Sequence, residues 1–381
     1  MISFIEIILL LREKESRKRV LHLDGIDWLI IALVLCAVMF SRLNDVSLNQ
    51  FLYGVKYDLV MLVTFFILRR IDWSRRFVQL LEIGLISVGC GVVLYGIITL
   101  FTPQSFFAWL GYSDLHSLYV PDGPLAAFQQ VGGTFLRRMQ STMSGPNQLG
   151  LWLLIPFSLV IVDLFDFHLS TPSLLKRFVS VFTLEERQKK VLPYVCVTIL
   201  AIGILATLSR AAWIAAMIII LVAISRHVNR STFKRIAVRS GSLCVLVCIL
   251  LVFLFPDVIV RASSTKDHFL RPIKAAQVMV SRPFGLGLGS AGPASNRISD
   301  TCVHLPEDGD ASWAKDRQDL CVFLGDTQVQ PTDRMCTCPR LPENWFLQIG
   351  VELGPLGFVL FLLLTLLVLR NLIQSKEHAI N

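Results

Sequence analysis

Residues 345–369 read WFLQIGVELGPLGFVLFLLLTLLVL, a run of 25 residues in which Glu352 is the one ionisable side chain. A helix rises about 1.5 Å per residue, and the hydrocarbon core of a bilayer is roughly 30 Å thick, so a run of this length predicts a membrane span. Working outward, apolar runs of similar character lie at 25–41, 50–68, 77–101, 148–165, 191–208, 211–225 and 240–256. Composition agrees with that reading: 54% of residues are hydrophobic and 17% charged, with a mean hydropathy of +0.62, too apolar for an ordinary soluble domain. The expectation is an all-α, polytopic membrane helix bundle of about eight or nine transmembrane helices. It forms a single membrane domain over residues 1–381, with a large extracytoplasmic loop, 257–344, between the last two spans. Residues 1–11 form a short apolar run followed by Arg12, Lys14, Arg17, Lys18 and Arg19. That order reverses a secretory signal and suits an interfacial segment or the tail of an additional helix.

Orientation follows from lysine and arginine. The segments 12–24, 69–76, 166–190, 226–239 and 370–381 hold 21 basic residues among 72, whereas 42–49, 102–147, 209–210 and 257–344 hold 14 among 144. Basic loops stay in the cytoplasm, which places 102–147 and 257–344 outside. The net charge of +8 is then explained by topology and by an anionic substrate, with no nucleic acid partner needed.

Cysteine placement fits this map. Cys36, Cys90, Cys196, Cys244 and Cys248 fall in predicted helices, where a free thiol behaves as a small hydrophobe. Cys302, Cys321, Cys336 and Cys338 share the outer loop, in a compartment that permits oxidation. Cys336 and Cys338 are too close for a comfortable mutual bridge, so each is expected to pair with Cys302 or Cys321. A zinc site including His304 is the alternative, although its spacing matches no standard pattern. The same loop opens with Phe269, Ile273, Ala276 and Val280 at helical spacing, with Lys266, Arg271, Lys274 and Gln277 between them, which predicts an amphipathic helix on the outer membrane surface with Pro272 in its first turn. The stretch 293–342 is expected to form a small irregular cap.

Arginines gather on the outer side beside glycine, proline and asparagine: Arg137 and Arg138, Arg210, Arg271, Arg282 and Arg297. A guanidinium fork suits phosphate because it stays charged and donates two parallel hydrogen bonds. Taken singly, each is as well explained by snorkelling to lipid headgroups. Within the spans, Glu352 is costly unless it has a function or a hydrogen-bonded neighbour. Lys56 and Asp58 lie two residues apart and so on different faces of their helix.

Four local sequences carry a resemblance. Arg138 is followed by Ser144-Gly145-Pro146-Asn147-Gln148-Leu149-Gly150, then Leu208-Ser209-Arg210-Ala211-Ala212-Trp213, then Arg282-Pro283-Phe284-Gly285-Leu286-Gly287-Leu288-Gly289, then Glu343-Asn344-Trp345-Phe346-Leu347-Gln348-Ile349 with Glu352-Leu353-Gly354. In content and order, over roughly residues 130–370, these resemble the O-antigen ligase and polymerase family. The resemblance implies a GT-C-like fold in the cytoplasmic membrane. It also implies transfer of a glycan from a polyprenyl pyrophosphate carrier to an acceptor hydroxyl on the outer face, without metal or other cofactor. In that chemistry arginines neutralise the leaving pyrophosphate and a general base takes the acceptor proton. Arg210 and Glu343 would be catalytic, and Arg137, Arg138, Asn147, Arg282, Arg297 and Asn344 would bind substrate. One departure stands out: many members have histidine where this chain has Glu343. The exchange keeps a base available, with His268 and His304 as substitutes. A transporter for such a lipid, or a membrane-anchored binding protein using the cysteine-bearing cap, are the competing readings.

Overall fold

The computed structural model describes residues 23–71, 73–112, 129–130, 136–166, 186–229, 262–305, 309–314 and 320–380, with isolated positions at 231–232, 235, 238–239, 241–242 and 307. The chain is mostly helical. In chain order the helices are α1 (Gly25–Leu43), α2 (Leu48–Leu68), α3 (Arg75–Phe101), α4 (Gln104–Trp109), α5 (Pro146–Asp166), α6 (Glu186–Ala206), α7 (Arg210–His227), α8 (Ala262–Ser281), α9 (Gly292–Ile298) and α10 (Trp345–Ile380). Among the described residues, α1, α2, α3, α5 and α10 are long and apolar enough to cross a membrane, whereas the apolar parts of α6 and α7 are shorter. The run expected at 240–256 and the segment 1–11 lie outside the described residues, apart from positions 241 and 242.

Where the sequence reading has one domain, the contacts gather into two compact units, 1–72 with 262–381 and 73–261. In the first, α10 packs on α1 and α8 packs along α10. Its core joins Ile30, Leu33 and Ala37 of α1 to Leu59 and Leu62 of α2 and Ile349, Leu353 and Phe361 of α10. α1 and α2 form an antiparallel hairpin closed by charge. Asp24 caps α1, and Arg69, at the end of α2, reaches Asp24 Oδ1 at 2.8 Å and Asp27 Oδ1 at 2.7 Å. In the second unit, α5 is the centre: α3, α6 and α7 each pack on it, around Val93, Leu149, Leu153, Val160 and Leu200. Glycines permit the close approach there. A Cβ on Gly203 would lie 2.3 Å from Val93, and one on Gly89 would lie 2.9 Å from Pro156.

Three expectations need correction. α8 begins at Ala262, so Pro272 lies inside the helix rather than in its first turn, and after it Ala275 and the partly buried Val278 pack with Val351 of α10. Ile273 and Val280, part of the expected apolar stripe, are exposed on α8, which leaves the expectation of a surface-lying helix standing. The cap is not irregular, and the chain is therefore not purely α. It holds α9 and a three-stranded sheet of β1 (Thr301–Leu305), β2 (Leu320–Leu324) and β3 (Thr327–Gln330), with β1 parallel and β3 antiparallel to β2. Short apolar strands that bury Leu320 and Val322 beside Ala314, with Leu305 and Val329 packed against them, make a satellite core. Finally, the last span is broken. Pro355 has no N–H to offer Val351, and Gly354 sits at φ 68°, ψ −171°, a conformation that glycine alone takes readily.

Candidate functional site

The four motifs meet in pairs, one pair in each unit. In the first unit the break at Gly354 frees carbonyls of α10, and the glycine turn takes them: Leu286 N donates to Val351 O and Gly287 N to Glu352 O, both at 2.9 Å. The backbones touch so closely that a Cβ on Gly285 would lie 2.3 Å from Glu352 O, and one on Gly354 would lie 2.2 Å from Pro283 O. The rest of the turn is held by side chains. Leu288 N donates to Ser41 Oγ at 3.0 Å, and Gly289 N and Ala291 N both donate to Glu352 Oε1 at 3.1 Å. Glu352 is wholly buried. Asp58, also buried, lies in a π-helical turn of α2, Val55–Leu59, and accepts from Trp345 Nε1 at 3.1 Å and from Gln348 Nε2 at 2.6 Å. Lys56, on the other face, is exposed beside the ring of Tyr57.

Outside this knot, a cavity of about 460 Å³ opens between α8 and the cap. Arg271, Lys274 and Arg340 bring positive charge to it, with His304 and the Cys302–Cys338 bridge alongside and Ala275, Val278 and Val351 as its apolar wall. Glu343 lies close by: its Oε1 accepts from Arg271 Nη1 at 2.6 Å. An exposed pair of this kind contributes ~0 to 1 kcal/mol, so a phosphate can compete for the Arg271 fork at little cost. Asn344 caps α10, its Oδ1 accepting from Leu347 N. Arg282 and Arg297 are exposed. His304 is exposed and stacked on Phe323; the side chain of His268 lies outside the described residues.

The second unit assembles the other two motifs. Pro146 opens α5, and Gly150 lets the helix approach the α6–α7 turn, where a Cβ would lie 2.8 Å from Ala212. Arg138 spans the gap: Nε donates to Thr207 O at 3.1 Å, Nη2 to Asn147 Oδ1 at 2.8 Å, and Nη1 to Gln129 Oε1 at 3.3 Å. Arg210 opens α7 directly after this turn and is half-buried. Arg137 faces the end of α3, donating to Thr102 O at 2.7 Å.

The structure bonds Cys302 to Cys338 and Cys321 to Cys336. All four sulfurs are thereby engaged, so the zinc alternative has no thiolate from this loop. Cys36, Cys90 and Cys196 are free thiols in helices; Cys244 and Cys248 lie outside the described residues.

No protein-family model matches the chain, and no curated protein or solved structure matches it either. Sequence reading did not single out Arg340, which lines the cavity two residues after the Cys302–Cys338 bridge, with its carbonyl accepting from Gly292 N. Its signal, a lone arginine in Cys338-Pro339-Arg340-Leu341-Pro342, carries no local periodicity.

Proposed function

We propose that this chain is a membrane glycosyltransferase of the O-antigen ligase and polymerase type. It moves a glycan from a polyprenyl pyrophosphate carrier to an acceptor hydroxyl on the outer face of the cytoplasmic membrane, within a GT-C-like bundle of about eight or nine spans. The observation that supports this reading best is the cavity beside the Glu343–Gly354 motif. Three cations stand over an apolar wall in a chain whose described residues include five helices able to cross a membrane, a chemistry suited to an amphiphile with an anionic headgroup. In this reading the carrier phosphates draw Arg271 away from Glu343, and the freed carboxylate takes the acceptor proton. Arg138 binds the carrier, and Arg210 meets the negative charge that grows on the leaving oxygen. No step requires a metal.

The test is the purified full chain incubated with polyprenyl-pyrophosphoryl oligosaccharide, with and without candidate acceptors. Longer lipid-linked chains identify a polymerase, and carrier-free conjugates a ligase. Donor that is bound and recovered unchanged with every acceptor refutes the enzyme reading. A transporter of the same lipid is the second reading, and the buried carboxyls Asp58 and Glu352 favour it, because ionisable groups inside spans often serve proton-coupled transport. Movement of labelled carrier across proteoliposomes without transfer would select it.

A further inference from the structure

Buried polar atoms are nearly always satisfied, and the exceptions ask for an explanation. In the first unit two exceptions lie on carboxyl groups that interact with each other. Asp58 Oδ1 is occupied by Trp345 and Gln348, and Glu352 Oε1 by the amides of Gly289 and Ala291. Their second oxygens, Asp58 Oδ2 and Glu352 Oε2, have no donor, although both side chains are at least 99% buried. The two carboxyl groups are within hydrogen-bonding reach of each other. Among the described residues no lysine or arginine acts on either: Asp58 meets Trp345, Gln348 and Glu352, and Glu352 meets Asp58 and the two amides. Two carboxylates have no hydrogen to share, and two negative charges at contact inside a span would repel strongly.

We propose that Asp58 and Glu352 form a binding site for a single proton, held between Asp58 Oδ2 and Glu352 Oε2. The hydroxyl of one carboxyl donates to the other, leaving one net negative charge, which the four donors on the outer oxygens stabilise. The proton thereby ties the π-turn of α2 to the glycine turn and to the broken helix α10. Glu352 is a positioning residue for residues 289–291, and Asp58 positions Trp345 and Gln348. This inference does not rest on the glycan-transfer reading.

The arrangement has a donor parity that an experiment can read. Asp58→Asn keeps an oxygen for Trp345 and Gln348 and offers its NH₂ to Glu352 Oε2. Glu352→Gln keeps an oxygen for Gly289 and Ala291 and offers its NH₂ to Asp58 Oδ2. Each single change replaces the proton by an amide hydrogen at the same net charge. The double variant sets NH₂ against NH₂, and flipping either amide only moves the clash to the outer donors. Thermal unfolding of the full chain in detergent is therefore expected to show small Tm shifts for each single variant and a loss in the double variant larger than their sum. Infrared spectra of the wild-type chain in lipid at neutral pH are expected to show a buried protonated carboxyl that both single variants lack. Additive Tm shifts, a wild-type chain without that band, or a band that survives Asp58→Asn would overturn the proposal. So would a wild-type Tm that tracks sodium or potassium at constant ionic strength, which would assign a cation to the same gap.

Discussion

Replacing Gly354 by alanine tests whether the break in α10 is what docks the glycine turn. At φ 68°, ψ −171° the backbone lies in a region open essentially to glycine, and holding another residue there costs ~1 to 3 kcal/mol. The new Cβ would also lie 2.2 Å from Pro283 O, which is backbone and cannot rotate aside. Relief by displacement breaks the bonds from Leu286 N and Gly287 N, each worth ~0.5 to 1.5 kcal/mol. Together these give a loss of ~2 to 6 kcal/mol. Equilibrium unfolding in mixed micelles, followed by circular dichroism, reads it directly. Gly84→Ala and Gly91→Ala are the controls, since a Cβ at either position meets nothing within 4 Å; they should be neutral or slightly stabilising. A Gly354→Ala chain as stable as these controls would refute the docking argument, because the helix would then have closed without disturbing the turn.

Nonreducing peptide mapping should recover Cys302–Cys338 and Cys321–Cys336, and the swapped pairing would overturn the placement of residues 336–338 against Gln328 and Asp300. Arg210→Ala should lower transfer by ~10²-fold with carrier binding nearly intact, by analogy with loss of one oxyanion donor, and Arg210→Lys should rescue poorly; full activity in a correctly folded Arg210→Ala chain would leave the arginine as an interfacial anchor. Glu343→Gln should abolish transfer across neutral pH, and retained activity would move the base to His268 or His304. Arg69 beside Asp24 holds that carboxyl well below the usual carboxylate range. Because the folded value is depressed, the pair's contribution is full above the unfolded pKa of about 3.9 and is lost as pH falls from there toward the folded value. Asp24→Asn should therefore flatten the acid limb of a Tm-against-pH profile below about pH 4, and an unchanged limb would argue against this pair.

The apolar runs that form α1, α2, α3, α5 and α10 were legible in the sequence, because run length is a local quantity. The break at Gly354-Pro355 has a local cause, a missing N–H, yet it lies inside a run that reads as one span. The cap's sheet was not legible, since its strands are four or five residues long and gain stability only from pairing across a loop. Cysteine spacing left two pairings open, and the folded cap selects between them, with Cys336 N held by Gln328 and Thr337 N by Asp300. The four motifs read as one series along the chain, yet they fold as two pairs, one in each unit. Asp58 and Glu352 looked like separate anomalies on separate spans. Only the tertiary structure brings them together, because what joins them is burial. Inside a bilayer each must find a partner within reach, and the break in α10 with the π-turn in α2 makes that partner the other carboxyl.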